Sequence, residues 1–250
     1  MTHSPLEQFD IIAYIPLYLP GSVDISFTNS SLYMVLGCAI MFFLFSVTLK
    51  TAMLVPNRWQ TLLEKLYDFV YDLINQNIGS EGEKYFPFIF FLFTFLLFCN
   101  VLGMIPYSFT VTSHIILTFF LSLSIFLGVT FIGFYQHGLH FFSYFVPPGA
   151  PAPLLPMLVV IEIISYIARA FSLGIRLFAN MMSGHTLVKI LAGFSFQMFS
   201  AGTVVMAFLA FVPLLVVVIV TGLEIVIAML QAYVFTVLTC IYIHDAIHLH

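Results

Sequence analysis

Glu162, Arg169 and Arg176 stand seven residues apart in a stretch otherwise built of apolar and small side chains. Seven residues are two helical turns, so on a helix the three share one face. Asn180 follows one turn after Arg176. A second apolar stretch repeats the arrangement, with Glu224, Gln231 and Asp245 separated by multiples of seven, and His185 lies in the first stretch beyond Asn180. Ionisable groups inside an apolar helix cost at least ~2.5 kcal/mol each, so they face a polar partner or water. Histidine titrates near neutral pH, and a desolvated glutamate moves towards it, so both can pass protons. Arginine keeps its charge. The residue types therefore suit proton relay beside a fixed positive charge.

Ser165, Ser172, Ala179 and Ser183 thread the face that carries the arginines. Small side chains let another helix approach closely, so Arg176 lies in a groove shaped to receive a partner. The competing reading is an arginine that snorkels to the membrane surface or bonds within its own chain. Folding the two stretches back on each other at Gly202 brings Glu162 level with Asp245, Arg176 level with Gln231, and His185 loosely level with Glu224. Two polar clusters then sit at different depths with an arginine between them. Two proton entry paths that must not connect would be laid out in this way.

These residues need long apolar elements to carry them. Only 7% of the 250 residues are Asp, Glu, Lys or Arg, against roughly 25% in soluble domains. No charge interrupts the 77 residues between Lys84 and Glu162, and other uncharged runs separate Asp24 from Lys50 and Lys189 from Glu224. A crossing helix needs about 20 apolar residues. The chain is thus expected to be an all-α polytopic membrane protein with a single membrane domain over 1–250. Residues 1–24 form an N-terminal arm and 25–54 the first transmembrane helix. Residues 58–77 carry Trp59, Leu62, Leu63, Leu66, Phe69, Val70, Leu73 and Ile74 at three-four spacing, the stripe of an amphipathic interfacial helix. A helical hairpin spans 86–136, with a turn from Pro106 to Ser113. A Pro-rich loop, Pro147 to Pro153, leads to a long hairpin over 156–245, with Pro156 in a first turn and interruptions at Pro213 and Gly222. Each arm of that hairpin runs about 43 residues, or about 64 Å at the helical rise, so a pair of strongly tilted helices is expected.

Four of the seven basic residues, Lys50, Arg58, Lys65 and Lys84, fall between the first and second crossings. The positive-inside tendency puts that segment on the matrix or cytoplasmic side, the N-terminus outside and the C-terminus inside. The first 24 residues lack Lys and Arg, which fits neither a secretory nor a transit leader. Such a start suits a protein made inside an organelle or one whose leader has been removed. The net charge of −4 does not point to nucleic acid. Cys38, Cys99 and Cys240 stand singly, without metal or disulfide spacing. No cofactor and no metal is expected. His137 and His140 read as interfacial, and His3, His244, His248 and His250 lie in the arm and tail.

Ser172-Leu-Gly-Ile-Arg176-Leu-Phe-Ala-Asn180-Met resembles the signature of the F-type ATP synthase subunit a family. The likeness extends over Met104-Ile-Pro-Tyr-Ser, the Pro-rich loop, Ile161-Glu-Ile-Ile-Ser-Tyr-Ile-Ala-Arg169 and the His-Asp-Ala-Ile-His-Leu-His tail. The order of His185 and Glu224 resembles mitochondrial members, and Ser4-Pro-Leu-Glu-Gln-Phe resembles fungal ones. The resemblance implies a non-catalytic, proton-translocating stator subunit of the mitochondrial inner membrane. It implies a c-ring as partner, with peripheral-stalk subunit b, small membrane subunits and lipid. Arg176 would face the ring carboxylate. Glu162 and Asp245 would line a matrix half-channel, and His185 and Glu224 an intermembrane-space half-channel. Asn180 and Gln231 would orient the arginine, and Arg169 would counter Glu162. Two other classes compete on the residues alone. A haem-binding electron carrier would need paired histidines at mid-membrane depth, and His114 and His185 have no partners at suitable spacing. An independent transporter or intramembrane hydrolase would show an inverted repeat or a hydrolase motif, and neither stands out.

Overall fold

The computed structural model describes residues 7–19, 23–24, 26–50, 52–105, 108–146, 154–201 and 203–248. The Pro-rich loop, Pro106 and the turn at Gly202 lie outside them. The chain divides into two compact units. The first comprises 1–42, 95–114 and 177–232, and the second 43–94, 115–176 and 233–250.

The arm folds into short antiparallel ladders. β1 (Ala13–Ile15) pairs with β4 (Phe27–Thr28), and β2 (Tyr18–Leu19) with β3 (Val23–Asp24). Asn29 ties this arm to the first helix, α1 (Asn29–Lys50). Its side chain accepts from Ile12 N at 3.2 Å and donates to Asp10 O at 2.9 Å. α3 (Phe86–Gly103) ends in a tight return. Ser108 Oγ donates to Leu102 O at 2.7 Å, and Ser113 Oγ to Thr110 O at 2.6 Å. Residues 109–113 are all buried. Buried irregular backbone must satisfy its polar groups locally where water is scarce, and the Ser108 and Ser113 hydroxyls meet part of that need. The first unit also holds the later part of α5 (Leu155–Ser200), α6 (Val204–Leu209) and most of α7 (Phe211–Ile247).

In the second unit, α2 (Arg58–Asn77) begins at Asn57, whose side chain accepts from Arg58 N at 2.8 Å. This is an N-cap. α2 buries Leu63, Val70, Leu73 and Ile74. Trp59 and Leu62, on the same apolar stripe by sequence, remain mostly exposed. Phe69 packs its ring 5.6 Å from Phe93 and 5.9 Å from Tyr233. α4 (Ile115–His137) packs against the earlier part of α5 through Phe119–Phe171 rings 5.0 Å apart and a Ser122 hydroxyl donating to Ala170 O.

α5 runs 46 residues unbroken, with Pro156 in its first turn. The later stretch breaks at Ala210, just ahead of Pro213, one of the two interruptions the sequence suggested, and not at Gly222. The proline ring at 213 would strike the carbonyl of residue 209 in a continuous helix, so α6 stops at Leu209. Pro213 then occupies the first turn of α7, where a missing N–H costs nothing, and Gly222 stays inside the helix. The Ala210 carbonyl accepts from Ser195 Oγ at 2.9 Å.

Among the described residues, five helical segments are long and apolar enough to cross a membrane: Asn29–Lys50, Ser80–Gly103, Ile115–His137, Leu155–Ser200 and Val205–Ile247. Phe42, Phe43, Ile116, Phe131 and Phe196 point outward from them. The chain is an all-α polytopic membrane protein.

Candidate functional site

Arg169 organises the polar cluster of the second unit. Its Nη1 donates to Tyr144 OH at 3.0 Å and to Asp245 Oδ2 at 3.1 Å, and its Nη2 lies 3.8 Å from Glu162 Oε1. The guanidinium carbon sits 5.9 Å from the Tyr242 ring centroid. Glu162 precedes Arg169 by two turns of α5, and the C-terminal end of α7 delivers Asp245. Tyr144 comes from the 3-10 segment Gly138–Phe145. Burial pushes its phenol above the usual range, and Arg169 beside it only partly offsets this. The group therefore stays a neutral hydroxyl that accepts from the guanidinium. Tyr166 OH lies 2.7 Å from Thr130 Oγ1. Tyr144, Tyr166, Arg169, Tyr242 and Asp245 line a cavity of about 20 Å³, room for one water by the usual measure. The carboxylates remain open, with Glu162 37% and Asp245 27% exposed. One cation thus holds two acids, and one of them, Asp245, borders the cavity.

The first unit carries a drier cluster. His185 on α5 places Nδ1 3.3 Å from Glu224 Oε1 on α7. That is ion-pair reach without hydrogen-bond alignment, so Oε1 stays buried without a donor. His185 Nε2 lies 3.1 Å from Thr110 Oγ1 in the return after α3. Asn180 Nδ2 donates to Gln231 Oε1 at 2.9 Å. Asn100 Nδ2 donates to Ala228 O at 3.0 Å. Glu224 and Gln231 are each 4% exposed. Gly184 makes room for the glutamate. A Cβ there would meet Glu224 Oε1 at 2.6 Å and Cδ at 2.9 Å, so only glycine lets the carboxyl lie against this turn of α5.

Arg176 is different. It is exposed on α5, and among the described residues it makes no ion pair. Ser165, Ser172, Ala179 and Ser183 are exposed on the same helix. Asn180 is one turn away along α5 but bonds across to Gln231. No group of three or more His, Cys, Asp or Glu that could hold a metal occurs among the described residues.

Within each unit, then, sequence-selected residues meet: Glu162 and Asp245 through Arg169, His185 with Glu224, and Asn180 with Gln231. Arg169 lies nearer Asp245 than Glu162, its assigned counter-charge. Thr110, Asn100 and Tyr144 escaped the sequence reading. Asn100 was the most findable, as an amide inside an apolar helix. Thr110 is a neutral residue in a turn, and no spacing marks it.

The sequence model of one family, described as ATP synthase A chain, matches residues 31–244. A protein of Marchantia polymorpha named ATP synthase subunit a is 56% identical over all of both chains. One of the same name from Oenothera berteroana is 53% identical, covering all of this chain and 90% of the relative. Another from Chondrus crispus is 50% identical over 99% of this chain and 97% of its own.

Proposed function

The chain belongs to the ATP synthase A chain family, the proton-translocating membrane subunit of ATP synthase, and we propose that it couples proton flow to rotation through Arg176 and two offset half-channels. Its partner there is the c-ring, with peripheral-stalk subunit b and small membrane subunits holding it as stator. It performs no chemistry on ATP itself. We assign it to the mitochondrial inner membrane, with the N-terminus in the intermembrane space and the C-terminus in the matrix.

Glu162 and Asp245 line the matrix path in this reading. Their support is the partly exposed position of both carboxylates around Arg169 and the place of Asp245 on the wall of the cavity. His185 and Glu224 form the intermembrane-space relay, supported by their 3.3 Å separation and the burial of the glutamate. Asn180 and Gln231 hold each other and steady the α5 turn beyond Arg176.

The observation that carries the reading is Arg176 itself, exposed on a small-residue face with no carboxylate partner among the described residues. A ring carboxylate arriving protonated must ionise before it passes. A permanent cation within about 4–6 Å lowers its pKa and makes this favourable. The same cation repels protons from a direct leak between the two paths. The pair must also break at every step. The membrane potential supplies about 2.3 kcal/mol per charge per 100 mV, so the contact must stay partly hydrated. Arg176→Ala is expected to abolish coupled ATP synthesis and to permit passive proton leak. Arg176→Lys is expected to fail as well, because an ammonium is a compact, strongly hydrated point charge whose pKa burial can lower. The test is ATP synthesis and proton pumping in membranes, with assembly measured separately. Near-normal synthesis in a fully assembled Arg176→Ala complex overturns the mechanism.

A further inference from the structure

Thr110 Oγ1 makes two polar contacts at once. It lies 3.2 Å from Gly103 O and 3.1 Å from His185 Nε2. A carbonyl oxygen only accepts, and a threonine hydroxyl has one proton to give. Both bonds form together only if that proton points at Gly103 O. The hydroxyl oxygen must then accept from His185, so Nε2 carries the ring hydrogen. We propose that Thr110 is a positioning residue that fixes the tautomer of His185 and reserves Nδ1 for proton exchange with Glu224.

The local fold is built for this contact. Gly103 ends α3, and a Cβ there would come within 2.7 Å of Thr110 Cγ2, so glycine lets the return lie against the helix end. Ser113 Oγ donates to Thr110 O at 2.6 Å, and Ser108 Oγ donates to Gly103 O at 3.1 Å. Thr110 is 4% exposed, so bulk water does not compete for its hydroxyl. With Nε2 committed, the neutral imidazole has a single free lone pair, on Nδ1. That atom is the one 3.3 Å from Glu224 Oε1. When Glu224 is protonated, its O–H bond breaks and an N–H bond forms at Nδ1, leaving a carboxylate beside an imidazolium. The reverse step restores the neutral pair. The Nε2 hydrogen takes no part. In the other tautomer Nδ1 already holds a hydrogen, and a protonated Glu224 has nothing to give its proton to.

The inference rests on the reading of His185 and Glu224 as a proton relay, and the experiment separates the two. Thr110→Val keeps the shape and removes the hydroxyl, and Thr110→Ser keeps the hydroxyl. Each is placed in the whole ATP synthase, beside His185→Ala and Glu224→Leu, and proton-driven ATP synthesis is measured per assembled complex. Thr110→Val is expected to slow synthesis by about tenfold or more, part of the ~100-fold or more that a positioned acid–base group contributes, and Thr110→Ser to run near the wild-type rate. Where the valine variant does not assemble, Thr110→Ala supplies the hydroxyl-free comparison. Wild-type rates in Thr110→Val with slow His185→Ala overturn the tautomer assignment and leave the relay standing. Equal losses in the valine and serine variants, or failure of both hydroxyl-free variants to assemble, also overturn it, since they make Thr110 a packing residue. Wild-type rates in His185→Ala and Glu224→Leu remove the relay itself.

Discussion

Gly184→Ala tests the proposed His185–Glu224 relay without touching either of its ionisable groups. A methyl group at 184 would sit 2.6 Å from Glu224 Oε1, 2.9 Å from Cδ and 3.1 Å from Cγ. Ordinary contact between such atoms begins at about 3.4 Å, so the carboxyl must retreat from α5 by about 0.8 Å. The 3.3 Å gap to His185 Nδ1, already at the edge of the ~3.2 Å reach of direct proton transfer, then opens towards about 4 Å, well outside it. A misplacement of about 1 Å can cost about 100-fold. The expected loss is therefore about 10- to 100-fold in proton-driven synthesis, or ~1.4–2.7 kcal/mol of barrier. Stability changes little, because the end of a glutamate side chain can swing away where a packed core atom cannot. Gly193→Ala is the control. It lies on the same helix, and a Cβ there meets nothing within 4 Å. The assay is ATP synthesis in energised vesicles, normalised to assembled complex. Wild-type synthesis in Gly184→Ala, or an equal loss in Gly193→Ala, refutes the argument that carboxyl placement limits transfer.

Cysteines placed by Glu162→Cys and Asp245→Cys are expected to react with polar thiol reagents added from the matrix side; reaction only from the opposite side rejects the assigned topology. Arg169→Leu leaves both carboxylates without their cation and is expected to destabilise the assembled complex by ~1–3 kcal/mol, a figure reduced from fully buried pairs because the site is partly open. Adding Asp245→Asn should recover part of that loss in thermal unfolding; no recovery means the arginine matters through packing alone. Asn100→Leu removes the donor to Ala228 O and should lower stability by ~1–2 kcal/mol, read from the same melting experiment; an unchanged midpoint shows the bond to be idle.

Heptad spacing exposed Glu162, Arg169, Glu224 and Gln231 because a charge or amide in an apolar helix has a cost that something must offset. Spacing cannot reveal the neutral residue that completes such a pair. Thr110 sits in a turn, Tyr144 in a 3-10 segment, and both types are ordinary in apolar sequences. The end of α6 was legible in principle, since Pro213 forbids a helical carbonyl at residue 209. The stripe on α2 shows a different limit. Val70 and Ile74 go inside while Trp59 and Leu62 stay out. Periodicity then locates a helix without saying which apolar face is the core.

Polar residues discriminate where apolar ones do not, and their pairing leaves a remainder. Arg169 holds Asp245 and Glu162, His185 faces Glu224, and Asn180 holds Gln231. These contacts engage the acids at 162, 224 and 245, the acids of the α5 and α7 stretches. Arg176 is left, among the described residues, without a carboxylate of its own chain. A cation at the centre of a helix in lipid costs ~2.5–3.5 kcal/mol, and a chain that met this cost internally would have kept an acid for it. The charge is instead exposed on the helix that also exposes Ser165, Ser172, Ala179 and Ser183, small side chains of the kind that let another helix approach closely. In the proposed function its partner is a carboxylate carried by a second helix. On that proposal the acid belongs to another molecule, so the pair can part and re-form as the partner moves, which a bond within one helix pair cannot do.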